Sequence, residues 1–339
     1  MTLHDNYLVV GSGSIAKRHI TNLRASFPSA HVSCVSASGR ILKTNETDAH
    51  DIHADLKSAI NSRPYFAIVA SPAPFHIIQA VELLDAGVPV LIEKPLASSA
   101  KLVLDSGCID ILKANVHRVD VAYNLRYLSS APYMHKCLTE RVVGSIHNVI
   151  AEVGQYLPDW RPQSDYRRGV SGQKKLGGGA LLELSHEIDY LVWLFGKFNA
   201  VYCIATNSGA LDIDVEDSVD ALLINERGFS VNLHMDFLQR SPSRYCKVIG
   251  EKGTLVWDLL NNSVSLHKSA TEIHKIFSDP SFDRNDTYIN ELLHFKSFVD
   301  GETEPQVGLA HAYYVLCVID AMKASSTDRA VTYLKDIEL

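Results

Sequence analysis

Short apolar runs alternate with amphipathic stretches through the first third of the chain, and this alternation predicts strand, helix, strand in close succession. Tyr7-Leu8-Val9-Val10 reads as a buried strand, followed by a helix from Ser14 to about Ser26 that places Ile15, His19 and Leu23 on one face. Phe27-Pro28 ends it. His31 to Ser36 reads as the next strand, Glu46 to Asp55 as a polar loop, and Leu56 to Ile60 as a short helix. Tyr65 to Ala70 and Val90 to Ile92 are further apolar strands, separated by the loop Ser71 to His76 and a helix from Ile77 to Ala86. A helix from Ser98 to about Cys108 and a strand Val119 to Tyr123 complete the series. Short connections between such elements call for a parallel sheet with right-handed crossovers.

The rhythm changes near Tyr123-Asn124-Leu125-Arg126, which predicts two domains, 1–122 and 123–339. A helix from Ala131 to about Thr139 precedes the alternating run Ile146 to Val153. Strands are expected over Ala200 to Thr206, Val219 to Asn225, Phe229 to Phe237, Arg244 to Ile249 and Gly253 to Asp258. Glycine-containing turns join several of them, which suits a mostly antiparallel sheet. Helices near Tyr288 to Val299 and Gly308 to Ala324 end the pattern.

Composition narrows the function classes. Apolar residues make up 46% and charged residues 21% of 339, as in globular proteins with a sizeable core. A formal charge of -7 argues against a general nucleic-acid or anionic-membrane binder, so neither is expected as a partner. The six cysteines are scattered without a CxxC pair, so no metal site or disulfide framework is expected. No basic leader or long apolar run is seen, and a cytoplasmic location is the expectation.

The candidate chemistry begins at Gly11-Ser12-Gly13-Ser14-Ile15-Ala16, a GxGxxA turn between strand and helix. Gly11 and Gly13 let the backbone approach a pyrophosphate, and the N–H groups at Ser14 and Ile15 face its charge. An NAD site usually offers an acid about 20 residues further on, but none occurs between Asp5 and Glu46. Ser36, Ser38 and Arg40 stand there instead; hydroxyls and a guanidinium suit a 2′-phosphate, so NADP is favoured over NAD. The serines alone would also make an ordinary turn.

Ser71, Pro72 and His76 follow the third long strand, and Glu93-Lys94-Pro95 follows the fourth; all are expected at the cofactor edge of the sheet. For His76, capping the next helix is the competing reading. Downstream, Tyr156, Trp160, Arg161, Tyr166 and Arg167 belong to a segment that, with Lys174 and Lys175, carries five basic residues against two acids. Basic groups beside aromatic rings suit an anionic, sugar-like substrate. A solvated loop or a subunit contact would have the same composition.

These pieces, in order, resemble the Gfo/Idh/MocA oxidoreductases: GxGxxA at Gly11 to Ala16, Ser71-Pro72, Glu93-Lys94-Pro95, Tyr123-Asn124-Leu125-Arg126, and Gly177-Gly178-Gly179 leading to His186-Glu187-Ile188-Asp189. The resemblance implies an N-terminal Rossmann domain and a C-terminal α/β domain with a large open sheet that makes homodimer or homotetramer contacts. It also implies hydride transfer between a nicotinamide and a hydroxyl or keto carbon of a sugar, sugar nucleotide or polyol. Lys94 would then hold the reacting oxygen, His186 would take or return the proton, and Arg126 and Asp189 would line the substrate site. The family's acid at i−4 from the histidine is absent; Glu183 lies at i−3, turned by about 100° around a helix, and Asp189 is placed to anchor the helix or the histidine. Two other readings stay open: an NAD-dependent glycosidase, and a non-catalytic nucleotide-sensing binding protein.

Overall fold

The computed structural model describes residues 6–43, 45–105 and 107–334. The described residues divide into two compact units, the first within 6–124 and 285–316, the second within 125–284 and 317–334. This differs from a split into 1–122 and 123–339 because the chain returns to the first unit after residue 284.

Six parallel strands form the first sheet: β1 (Asn6–Val10), β2 (His31–Val35), β3 (Asp51–His53), β4 (Phe66–Val69), β5 (Val90–Glu93) and β6 (Val119–Ala122). Their order is β3-β2-β1-β4-β5-β6. The strands are buried almost throughout, as expected of a sheet covered on both faces, and full burial of each Val, Leu or Ile contributes about 1.5–3 kcal/mol. The exception is β3, which lies in the segment expected to be a polar loop. As an edge strand with partly exposed residues, it carries no apolar run to announce it.

The connecting helices are α1 (Ser14–Ser26), α2 (Leu56–Asn61), α3 (His76–Asp85), α4 (Ala100–Asp105) and α5 (Ile109–Ala114). The helix expected over Ser98 to Cys108 corresponds to α4 alone; α5 is an additional helix beyond Gly107, whose φ of 65° is left-handed. The helix Arg284–Val299 packs Leu292, Phe295 and Phe298 into the same core as Tyr7, Ile20 and Phe66. Phe66 stacks on Tyr7 at 4.4 Å and meets Phe295 edge-on at 5.3 Å.

The second unit carries a nine-stranded sheet among the described residues. In chain order its elements are α6 (Ser130–Thr139), β7 (Ile146–Gly154), α7 (Leu157–Trp160), α8 (Ala180–Glu183), α9 (His186–Phe195), β8 (Phe198–Thr206), β9 (Ser218–Asn225), β10 (Ser230–Asp236), β11 (Ser243–Gly250), β12 (Gly253–Asp258), β13 (Ser263–His267), β14 (Ile273–Ser278) and β15 (Thr332–Tyr333). The sheet is antiparallel except where β10 runs parallel to β7. Alternation along β9 buries Val219, Ala221 and Leu223 and turns Asp220, Leu222 and Ile224 outward. The strands β13, β14 and β15 lie outside the expected set; β13 is short, and β14 and β15 are largely exposed, with no continuous apolar run.

Candidate active site

All six strands of the first sheet point the same way, so the turns after β1, β2, β4 and β5 open at one edge. Gly11 follows β1, Ser36 follows β2, Ser71 lies just beyond β4 and Lys94 follows β5. The strand order reverses between β1 and β4, and a crevice at such a switch point is where doubly wound sheets bind ligands.

The turn after β1 is built for close approach. Gly11 has φ 132°, and a Cβ there would lie 2.5 Å from the Ala70 carbonyl oxygen. A Cβ on Gly13 would meet nothing within 4 Å. Gly13 is also the N-cap of α1 and gives no side-chain cap, so the first-turn N–H groups of a 13-residue helix face an open cradle, with no acid in that turn. Ser14 is exposed and Ile15 half-buried at its rim. Beside the turn, the buried Ser71 Oγ has no hydrogen-bond partner among the described residues. An orphaned hydroxyl, an open cradle and an uncapped helix start fit a dinucleotide pyrophosphate.

At the end of β2 the Ser36 and Ser38 hydroxyls lie 3.3 Å apart. Arg40 is not free for a phosphate: its guanidinium grips Glu46 with two bonds of 2.9 and 2.6 Å, and that grip holds the Glu46 carboxyl down at about 2. The sequence offered Glu46 only as the end of an acid-free stretch, and its pairing with Arg40 is what that reading missed.

His76 and Glu93 are buried rather than facing a ligand. His76 starts α3 without capping it, its ring lying between the Pro95 carbonyl (Nδ1, 2.8 Å) and the Ser71 carbonyl (Nε2, 2.7 Å). Burial pushes the His76 pKa down, against the two carbonyls. His76 thus ties the turn after β4 to the turn after β5. Pro72 begins the one-turn 3-10 segment between them. Glu93 takes the fully buried His19 Nε2 at 2.7 Å on one oxygen and accepts the Lys94 N–H at 3.2 Å on the other. Lys94 itself is half-buried.

In the second unit Gly177 takes a left-handed turn at φ 78°, and Gly178 and Gly179 serve packing. A Cβ on Gly178 would lie 2.3 Å from the Val170 carbonyl oxygen, and one on Gly179, at φ 106°, 2.3 Å from Glu216 Oε1. Glu216 accepts the Leu181 N–H at 3.1 Å, and burial raises its pKa. That close packing sets α8, whose Glu183 accepts the Ser171 hydroxyl at 2.9 Å. His186, half-buried, is the first residue of α9.

Arg126 and Asp189, both expected at the substrate site, are paired with each other. They form a buried bidentate pair at 2.9 and 2.7 Å, with the Arg126 guanidinium 4.7 Å from the centre of the Trp193 ring. Asp189 thus anchors α9 to the turn at Arg126. The basic segment is also more neutral than its composition. Arg167 is held by Asp165 at 2.8 and 2.9 Å and reaches Asp212 at 3.5 Å. Tyr166 Oη accepts the Asp212 N–H at 3.4 Å, and Trp160 donates to the Gln155 carbonyl while its ring meets Phe237. Tyr156 lies under the Arg240 guanidinium at 3.5 Å. Arg161 is exposed. Among the described residues no group of three or more His, Cys, Asp or Glu could hold a metal, and no helix is long and apolar enough to cross a membrane.

A glycine turn into an uncapped helix, at the switch point of a 3-2-1-4-5-6 parallel sheet, defines a dinucleotide-binding protein. The comparisons carry this further: the chain belongs to the GFO/IDH/MocA oxidoreductases. Residues 6–105 match the model of the oxidoreductase family with an NAD-binding Rossmann fold, and residues 133–256 match the GFO/IDH/MocA C-terminal domain. Inositol 2-dehydrogenase/D-chiro-inositol 3-dehydrogenase of Halalkalibacterium halodurans is 23% identical over 94% of this chain and 90% of that protein. Levoglucosan dehydrogenase in complex with NADH and levoglucosan superposes with a TM-score of 0.82 at 20% identity, over 98% of this chain and 99% of that one. The WlbA dehydrogenase from Bordetella pertussis, in complex with NADH and UDP-GlcNAcA, gives 0.79 at 21% identity over 98% and 99%.

Proposed function

We propose that this oxidoreductase transfers a hydride between a nicotinamide dinucleotide and a CH–OH or keto carbon of a sugar, sugar nucleotide or polyol, as a cytoplasmic enzyme. The observation that carries the reading is the placement of Lys94 at the same sheet edge as the Gly11 turn. The bound nicotinamide supplies the hydride chemistry. Gly11, Gly13, Ser14 and Ile15 would hold its pyrophosphate, with Ser71 and Pro72 beside them. Lys94 orients the reacting oxygen and stabilises negative charge developing there. His186 takes or returns the hydroxyl proton, and Glu183 keeps the loop at Ser171 in register with α8.

The adenosine end favours NADP through Ser36, Ser38 and Arg40, with Glu46 as the internal competitor for the guanidinium. Glu46→Gln should therefore raise NADPH affinity about threefold or more while leaving NADH nearly unchanged, whereas Arg40→Ala should weaken NADPH selectively. Equal effects on both cofactors would discard the phosphate role. An anionic sugar is the preferred substrate class, with Arg161, Arg167, Tyr156, Trp160 and Tyr166 as the candidate contacts. A second copy of the chain is placed on the outer face of the nine-stranded sheet, where Tyr202 pairs in register with Leu222 and both stay partly exposed. Sedimentation of the purified protein would show a dimer or tetramer; a monomer at micromolar concentration would remove this contact.

The activity test is reduction of NAD+ and NADP+ against a panel containing myo-inositol, levoglucosan and anionic hexose derivatives. Lys94→Ala and His186→Asn should each lower turnover by about 10² or more with both proteins still folded. Undiminished turnover in either variant would remove that residue from the mechanism.

A further inference from the structure

Glu93 and Lys94 are neighbours in sequence, yet the Glu93 side chain turns inward. One carboxylate oxygen accepts the Lys94 backbone N–H at 3.2 Å, and the other meets Nε2 of His19 at 2.7 Å. His19 lies in the second turn of α1, 0% exposed, so the helix that begins at the glycine turn reaches the backbone of Lys94 through one imidazole and one carboxylate. On the other side of Lys94, the Pro95 carbonyl is in contact with His76. The lysine backbone is gripped on both flanks.

Aromatic, cationic and acidic groups surround the His19 contact. The Tyr288 ring stands edge-on to His19 at 6.2 Å, with the Arg18 guanidinium 4.6 Å from its centre. Glu291, on the helix Arg284–Val299, is buried, and neither carboxyl oxygen has a hydrogen-bond partner among the described residues. Burial first, and then the charges of Glu93 and Asp120, raise the Glu291 pKa well above the usual carboxylate range. Glu291 therefore favours its neutral acid. Asp120 is occupied elsewhere, accepting the Gln306, Val307 and Gly308 N–H groups at 2.9 to 3.1 Å.

We propose that His19 is a positioning residue that, through Glu93, couples occupancy of the Gly11–Gly13 cradle to the placement of the Lys94 ammonium. A helix moves as a rigid body, so an anion drawn to the start of α1 shifts His19 with it, and a 2.7 Å hydrogen bond in a dry interior transmits that shift to the turn after β5. This inference rests on the reading of the cradle as the dinucleotide site and of Lys94 as the group at the reacting oxygen.

Trace acetylation of the intact protein with acetic anhydride, read by mass spectrometry with and without saturating NADH, reports Lys94 reactivity without any turnover. In the wild type, NADH should change the Lys94 labelling rate by about threefold or more, and His19→Leu and Glu93→Gln should abolish the change. His19→Gln, whose amide can still donate to Glu93, should restore much of it and carries the test if the leucine variant fails to fold. NADH affinity, from nicotinamide fluorescence, should stay within about threefold in all of them. Wild-type and variant proteins that respond alike to NADH, or a wild type that does not respond, would overturn the proposal. Failure of the underlying reading looks different: NADH would not bind, or Lys94→Ala would turn over normally while the labelling pattern stood.

Discussion

The turn after β5 and the basic segment from Tyr156 to Lys175 were the two regions in which the sequence promised charge aimed at a ligand, and the structure treats them in opposite ways. After β5, a single lysine follows a buried strand whose last side chain is fixed by His19, and the Pro95 carbonyl just beyond contacts His76. In the basic segment, Arg167 is matched by Asp165 and Asp212 at the protein surface, and exposed Arg168 also lies near Asp165. A charge set on a rigid, buried frame is pre-organised for one task. A cluster counted from composition is discounted as soon as its acids fold back onto it.

Substitutions can break or sharpen that contrast. The largest effect is expected at Gly11, where alanine would force a Cβ into the Ala70 carbonyl; Gly11→Ala should abolish measurable dinucleotide binding, which calorimetric titration would show. Removing one partner of the buried pair, Arg126→Ala, leaves Asp189 uncompensated and should cost about 3–5 kcal/mol by denaturant unfolding. Little loss there would mean that water reaches the pair.

Glu291 gives a smaller effect of opposite sign. Its folded pKa lies above the unfolded value, so its proton favours the fold below the unfolded pKa, and that contribution disappears as pH rises through the folded pKa. Glu291→Gln should therefore raise the melting temperature by about 2–4 °C at pH 8, with the gain shrinking towards pH 5. A pH-independent difference would contradict the buried-acid account. The smallest effect is expected at Arg167, half-exposed and already paired: Arg167→Ala should shift the melting temperature by less than about 1 °C. If the segment binds an anionic substrate, the same variant should raise KM for that substrate and leave kcat nearly unchanged.

The contrast also explains what the sequence made legible. The first sheet announced itself because β1, β4 and β5 carry continuous apolar runs and the glycine turn is a local signature with a local cause. The pairings that decide how residues are used join distant positions: His19 with Glu93, Arg126 with Asp189, and Phe295 with Phe66. Nothing in the spacing of the helix Arg284–Val299 reveals that its apolar face belongs to a sheet made from the first residues of the chain. Glu46 lay only six residues from Arg40 and was within reach of local reasoning; a guanidinium near an acid should be presumed paired until a ligand competes. His19 shares a face of α1 with Ile15 and Leu23, and a histidine buried in a helix with no local acceptor signals a partner elsewhere.

The most direct test of the central claim is a fluorescence titration of the wild type and Lys94→Ala with NADH and NADPH. The account predicts saturable binding to both proteins, with dissociation constants for each cofactor within about threefold, because the cradle at Gly11 and Gly13 holds the dinucleotide while Lys94 serves the reacting oxygen. Absence of saturable binding by either cofactor to the wild type would contradict it.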